Sequence, residues 1–273
     1  MPRAFINGVN ICYNIDGSGE PLFLIQGLTG GRNDWFFQMR SLKKHYRVVT
    51  FDNRGAGSTD KPDESYDIRT MADDTIGLMD HLKVDRAHIL GMSLGSLIAQ
   101  EIVINYPDRI MKLILVAAIV YGEGMREITE GMREALGLRE NYSEEEARNV
   151  MNNIDVTEYF AKVTGLSFNK KLIRMMLIPL SKIHAKRIGR EGLMGQLHAS
   201  STCETLDKLH TIKAPTLVLT GAEDKVVSPQ SSEMIADRIP NAKLVKVEGG
   251  SHAFYLEKPR RFNREVFDFL RDG

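Results

Sequence analysis

The stretch His88-Ile89-Leu90-Gly91-Met92-Ser93-Leu94-Gly95-Ser96-Leu97 decides how this chain is read. His88 to Leu90 has the character of a short strand buried on both faces, whereas Leu94 to Tyr106 has helical spacing and is stopped by Pro107. Gly91-Met92-Ser93-Leu94-Gly95 therefore falls where a strand hands over to a helix. A serine on so sharp a turn is forced into strained backbone angles that only small neighbours tolerate, and Gly91, Gly95 and Ser96 supply them. The strain lifts the Ser93 hydroxyl out of the turn. It also aims the helix N-terminus, with the Met92 amide, at whatever Oγ attacks, which is half of an oxyanion hole.

Before and after this turn, the chain alternates β-rich runs with helical patterns. Asn7-Gly8 suits a two-residue hairpin between Phe5-Ile6 and Val9 to Ile15, and Leu22 to Ile25, Val48 to Phe51 and His88 to Leu90 follow as buried strands. Met71, Thr75, Leu78, Met79 and Leu82 recur on one helical face, and Leu113 to Ala118 reads as the next strand. From Tyr121 to about Leu206 only helical stretches are found, with acidic residues gathered before Glu158 and basic ones between Lys162 and Arg190. Strands return at Thr216 to Leu219 and Leu244 to Val247, and a helix from Pro259 to Leu270 closes the chain. The pattern implies one mostly parallel sheet flanked by helices, built from residues 1–120 and 207–273 and interrupted by an all-helical insertion over 121–206.

A serine hydroxyl becomes a nucleophile only when a base takes its proton and a carboxylate orients that base. Asp224 lies in the loop Gly221-Ala222-Glu223-Asp224 after one late strand, and His252 in Gly249-Gly250-Ser251-His252 after the next. The order Ser93, Asp224, His252 is that of the nucleophile-elbow hydrolases. Glu223 is the rival acid. Gln26-Gly27-Leu28-Thr29-Gly30-Gly31, after an earlier strand, could bring a second backbone donor to the substrate. Leu28 N–H is the candidate, against a loop with only a turn function. Asp52 to Ser58 lacks the third glycine of a dinucleotide loop and the Gly-Lys pair of a P-loop, and reads as a structural loop.

Composition narrows the rest. The 273 residues carry 36 Lys plus Arg against 36 Asp plus Glu, with 42% hydrophobic and 26% charged residues. No global field favours nucleic acid or an anionic membrane. The longest apolar run, Leu113 to Val120, is far below the roughly 20 residues needed to span a bilayer, and the start has no secretory-type core, so a cytoplasmic protein is expected. Cys12 and Cys203 read as reduced thiols, and neither cysteines nor histidines show metal-ligand spacing, so neither metal nor cofactor is expected.

These residues resemble the α/β-hydrolase superfamily, in its cap-bearing branch of esterases, lactonases, cofactor-free haloperoxidases and carbon–carbon bond hydrolases. The likeness rests on Asp52 to Ser58, similar to the family's Asp-X-Arg-Gly-X-Gly-X-Ser loop, on Ala72-Asp73-Asp74 through Asp80-His81-Leu82, on the elbow, and on Gly221 to Asp224 and Gly250 to His252. Met71 to Pro107 is most similar to 3-oxoadipate enol-lactonases and related carboxylic-ester hydrolases. One departure is Gln26-Gly27, where the family usually has His-Gly. The resemblance implies an α/β-hydrolase fold with 121–206 as a helical cap, and a serine hydrolase acting on a small ester or lactone. Ser93 would be nucleophile, His252 base, Asp224 its orienting acid, and the Leu28 and Met92 amides the oxyanion donors. The alternatives are carbon–carbon bond hydrolysis or perhydrolysis on the same triad and, from another class, a ligand-binding receptor or non-catalytic interaction protein. Ser93 rather than Asp at the elbow argues against dehalogenase or epoxide hydrolase chemistry.

Overall fold

The computed structural model describes residues 1–120, 153, 155–168 and 171–272. The elements in chain order are β1 (Arg3–Ile6), β2 (Val9–Asp16), β3 (Glu20–Ile25), α1 (Phe36–Leu42), β4 (Tyr46–Phe51), α2 (Ile68–His81), β5 (Ala87–Met92), α3 (Leu94–Asn105) and β6 (Ile110–Val116). They continue with α4 (Val156–Ser167), α5 (Lys171–Ser201), β7 (Thr216–Gly221), α6 (Pro229–Arg238), β8 (Lys243–Val247), α7 (Phe254–Glu257) and α8 (Pro259–Arg271).

The strands form one eight-stranded sheet in the order β1-β2-β4-β3-β5-β6-β7-β8. β1 and β2 pair antiparallel, β2 joins β4 antiparallel, and every later pairing is parallel. The hairpin turn is the expected one: Asn7 and Gly8 have φ of 46° and 81°, the positive pair that a twist-matched two-residue turn needs. β5 and β7 are buried along their whole length, because helices cover both faces of a parallel sheet. Chain order reverses between β3 and β5, so the crevice beyond their carboxyl ends is where an open α/β sheet receives ligands.

Three elements escape sequence reading: α1, α6 and the single turn α7. α1 carries the exposed Phe36 and Phe37, which hide its amphipathic pattern. α6 is short, but its start is conventional, with Ser228 at the N-cap and Pro229 in the first turn. β6 starts three residues earlier than expected, at Ile110, and ends two residues earlier, at Val116, because Ala117 turns to φ 44°. The next amides leave the ladder: Ala118 N–H donates to Ser232 Oγ (3.1 Å) and Ile119 N–H to Ser96 Oγ (3.1 Å).

Between β6 and β7 the described residues include the helices α4 and α5, the latter broken at Gly189, where φ is 72°. The first part of the expected insertion, 121–152, lies outside the described residues. On the far side of the sheet, α8 lays Phe262, Val266 and Leu270 against the core. Its end is fastened from β6, where the buried Lys112 donates from Nζ to the carbonyls of Phe269 (2.9 Å), Leu270 (3.0 Å) and Asp272 (2.7 Å).

Candidate active site

Ser93 is the N-cap residue of α3 and sits at φ 52°, ψ −120°, a region that side-chain-bearing residues rarely occupy. Its amide donates to Val116 O (2.9 Å) in the neighbouring strand and its carbonyl accepts from Ser96 N–H (2.7 Å), so both sides of the turn are held. The glycines around it permit the approach of other backbone. A Cβ on Gly91 would strike Gly95 O, and one on Gly95 would strike Ile25 O, so the elbow closes onto the end of β3 only with hydrogen at both positions. A Cβ on Gly27 would lie 3.1 Å from Ser93 Cβ and 3.6 Å from its Oγ, which sets the loop after β3 directly beside the serine.

The loops after β7 and β8 are tied together by Glu223 N–H donating to Gly250 O (2.8 Å) and Ala222 N–H to Val247 O (3.0 Å). They bring His252 Nδ1 to 2.8 Å from Asp224 Oδ2. The Asp224 side chain is wholly buried and that of His252 is 10% exposed. Oδ1 of Asp224 accepts the Val226 and Val227 amides (2.8 and 2.9 Å), which fixes the carboxylate and leaves Oδ2 for the imidazole. A carboxylate accepts only, so the shared proton sits on Nδ1 and the lone pair of the neutral ring is on Nε2. Glu223 is exposed and lies toward Gly249, which separates it from its neighbour in the chain.

The loop Gln26–Gly31 folds as a turn closed by Gly30 N–H donating to Gly27 O (3.0 Å). Gln26, standing where a histidine was expected, bonds the loop with both ends of its amide. Oε1 accepts Gly27 N–H (2.9 Å) and Nε2 donates to Tyr255 Oη (3.3 Å). Burial pushes the Tyr255 hydroxyl far above its ordinary range, so the phenol stays neutral at working pH. Asn53 Nδ2 donates to Gln26 O (2.9 Å), a structural use of the loop after β4.

A further amide stands beside the serine. Met92 is the last residue of β5, in register with Val116, and precedes the serine. The amide that opens α3 is that of Leu94, which has no carbonyl one turn below it to bond. The geometry therefore offers Leu94 N–H, beside the expected Met92 N–H, as a donor next to Ser93.

Two helix-borne partners of these loops went unforeseen. The Ser167 carbonyl, at the end of α4, accepts Ala253 N–H (3.0 Å) and lies 2.8 Å from Ser251 Oγ, on either side of His252 in sequence. Ser251 Oγ is also 2.6 Å from Glu257 Oε2, and its single proton serves one of them at a time. Gln196 of α5 reaches the loop after β3.

Among the described residues no group of three or more His, Cys, Asp or Glu could hold a metal, and no helix is long and apolar enough to cross a membrane. Both cysteines are buried and free. Burial pushes the Cys203 thiol up to about 12, so it is protonated at neutral pH, and only thiolate reacts. Native protein is thus expected to leave Cys203 unmodified by iodoacetamide at pH 8, with rapid alkylation in denaturant. Fast labelling of Cys203 in native protein, read by mass spectrometry, would contradict the buried geometry.

Residues 20–259 match the family model described as the alpha/beta hydrolase fold. The chain belongs to the α/β-hydrolase fold family. Within that family it is 27% identical over 274 residues to the putative non-heme bromoperoxidase BpoC of Mycobacterium tuberculosis, covering 96% of this chain and 98% of that one. Among solved α/β-hydrolases it is similar to Est816, described as an N-acyl homoserine lactone degrading enzyme. That match has TM-score 0.82 and 27% identity, over 98% of this chain and 100% of the other. It is also similar to the meta-cleavage product hydrolase CumD of Pseudomonas fluorescens IP01, with TM-score 0.80 and 26% identity over 99% and 97% of the two chains.

Proposed function

We propose that this α/β-hydrolase cleaves a small carboxylic ester or lactone through an acyl-enzyme on Ser93. The observation that carries the proposal is the 2.8 Å contact of a buried Asp224 with His252 Nδ1, on loops at the same sheet edge as the strained Ser93. Ser93 Oγ attacks the carbonyl carbon as His252 Nε2 takes its proton. The amides of Leu28 and Leu94 receive the negative charge that develops on the carbonyl oxygen. The tetrahedral intermediate then collapses, His252 returns its proton to the departing alkoxide, and water attacks the acyl-enzyme by the same route. All of the chemistry is supplied by side chains and backbone. Labelling by a fluorophosphonate probe, mapped to Ser93, together with turnover of p-nitrophenyl acetate, tests it. Labelling without turnover would favour a receptor, and absence of both would defeat the proposal.

Similarity to CumD favours a second reading, carbon–carbon bond hydrolysis on the same residues. A screen of esters, lactones and diketones with pure protein separates the two.

The insertion after β6 springs from the carboxyl edge of the sheet and is proposed to act as a cap that roofs Ser93. Met194 packs with Tyr159, Ile188, Leu193 and Leu197 in a small apolar cluster that also touches Leu28, whereas Met175 is 63% exposed and lines no buried wall. Short apolar acyl groups should accordingly be preferred, without activation at an oil interface. In a chain-length series of aryl esters, a maximum at long chains or a jump in rate above the solubility limit would mark a lipase instead.

A further inference from the structure

The turn Gly27–Gly30 contains a conflict between sequence and conformation. Its third residue, Thr29, sits at φ 59°, a position that turns normally give to glycine or asparagine and that a β-branched side chain resists. Such strain survives only where the surroundings hold it. The hold comes from the insertion: Gln196 Oε1 accepts Thr29 N–H at 2.6 Å, and its Nε2 donates to Arg54 O at 2.8 Å. Gln196 is fully buried, and both of its bonds go to backbone of the sheet domain. The helix reaches this depth because α5 turns small residues to the loop after β4. A Cβ on Gly192 would strike Gly55 O, and one on Gly195 would lie 2.7 Å from the Tyr66 hydroxyl.

The Thr29 amide belongs to the middle peptide of the turn. Rotating that peptide takes Thr29 to negative φ and relieves the strain; the Leu28 N–H belongs to the preceding peptide and shifts when the loop around the turn relaxes with it. We propose that Gln196 is a positioning residue that locks this peptide from the cap helix, alongside the loop's own bond from Thr29 Oγ1 to Leu28 O (2.6 Å), so that the loop does not relax and the Leu28 amide stays turned toward Ser93. The proposal rests on the oxyanion role given to Leu28 above. A flexible oxyanion loop would otherwise pay reorganisation at the moment charge develops, and a preorganised one does not.

The test uses Gln196→Met, alone and combined with Thr29→Gly, measured with p-nitrophenyl acetate and by amide hydrogen exchange. Loss of one oxyanion donor costs about 10²–10³ in kcat, and a donor that is misaimed rather than absent should cost less, about 10- to 100-fold. Gln196→Met is therefore expected to lower kcat by that factor with KM little changed, and to speed exchange at Thr29 while β5 amides stay protected. Adding Thr29→Gly, which adopts positive φ without strain, is expected to restore most of kcat. A merely structural role predicts otherwise: if Thr29→Gly fails to recover kcat, or if Gln196→Met leaves both kcat and Thr29 exchange at wild-type values, the proposal is overturned. Should wild-type protein neither label at Ser93 nor hydrolyse the ester, the serine-hydrolase reading falls with it. Rapid Thr29 exchange in Gln196→Met would then show the lock without its catalytic purpose.

Discussion

Replacing Ser93 by Ala is expected to lower kcat for an aryl ester by about 10⁴- to 10⁶-fold, and His252→Ala by a similar factor, since nucleophile and base act as one unit. The fold should persist in Ser93→Ala. Alanine is as small as serine, and the turn is held by backbone bonds, Ser93 N–H to Val116 O and Ser96 N–H to Ser93 O, that do not involve the hydroxyl. A double Ser93→Ala/His252→Ala protein should be little worse than either single variant. Near-normal turnover by either purified single variant, with unchanged circular dichroism, would refute the mechanism.

The second large effect is expected at Asp224. In Asp224→Asn the side-chain oxygen is claimed by the Val226 and Val227 amides, which now bond Oδ1 at 2.8 and 2.9 Å. That choice turns the new NH₂ group toward His252 Nδ1. The imidazole must then present its Nδ1 lone pair and carry its proton on Nε2, the wrong nitrogen to accept from Ser93. A loss of about 10⁴ in kcat follows from the tautomer alone. Glu223→Gln, at an exposed side chain beside Gly249, should change kcat by no more than about twofold, as surface substitutions usually do. Comparing the two variants in one assay decides between the neighbouring acids, and the reverse pattern would reassign the role.

The parts of this site that could be read from the chain are those with local causes. Strand runs followed by glycine-rich loops place Ser93, Asp224 and His252 at one sheet edge before any contact is known, because each loop is defined by the strand preceding it. The donor proposed after the elbow, Leu94 N–H, lies two residues beyond the expected Met92 for a similar reason: the strand continues through Met92, and α3 starts at Leu94. Gln196 had no such signal. A buried glutamine whose partners are an amide 167 residues away and a carbonyl 142 residues away leaves no periodicity and no motif. The same holds for the Ser167 carbonyl beside the His252 loop, since backbone groups carry no residue type to read. α1 was missed because two phenylalanines on its outer side break the amphipathic pattern.

The three carbonyls gathered by Lys112 have a reach beyond the helix they terminate. α8 presses Phe262 against Phe254, with ring centroids 5.7 Å apart, and Phe254 stands two residues beyond His252. A single ammonium anchored in the middle of the sheet thus acts as the far end of a tie-rod that braces the imidazole loop from below. Lys112→Met would leave those carbonyls without their charged donor and let the last turn of α8 fray. The enzyme would then be expected to lose activity on warming before its central strands give way, with inactivation and global unfolding separating into two temperatures.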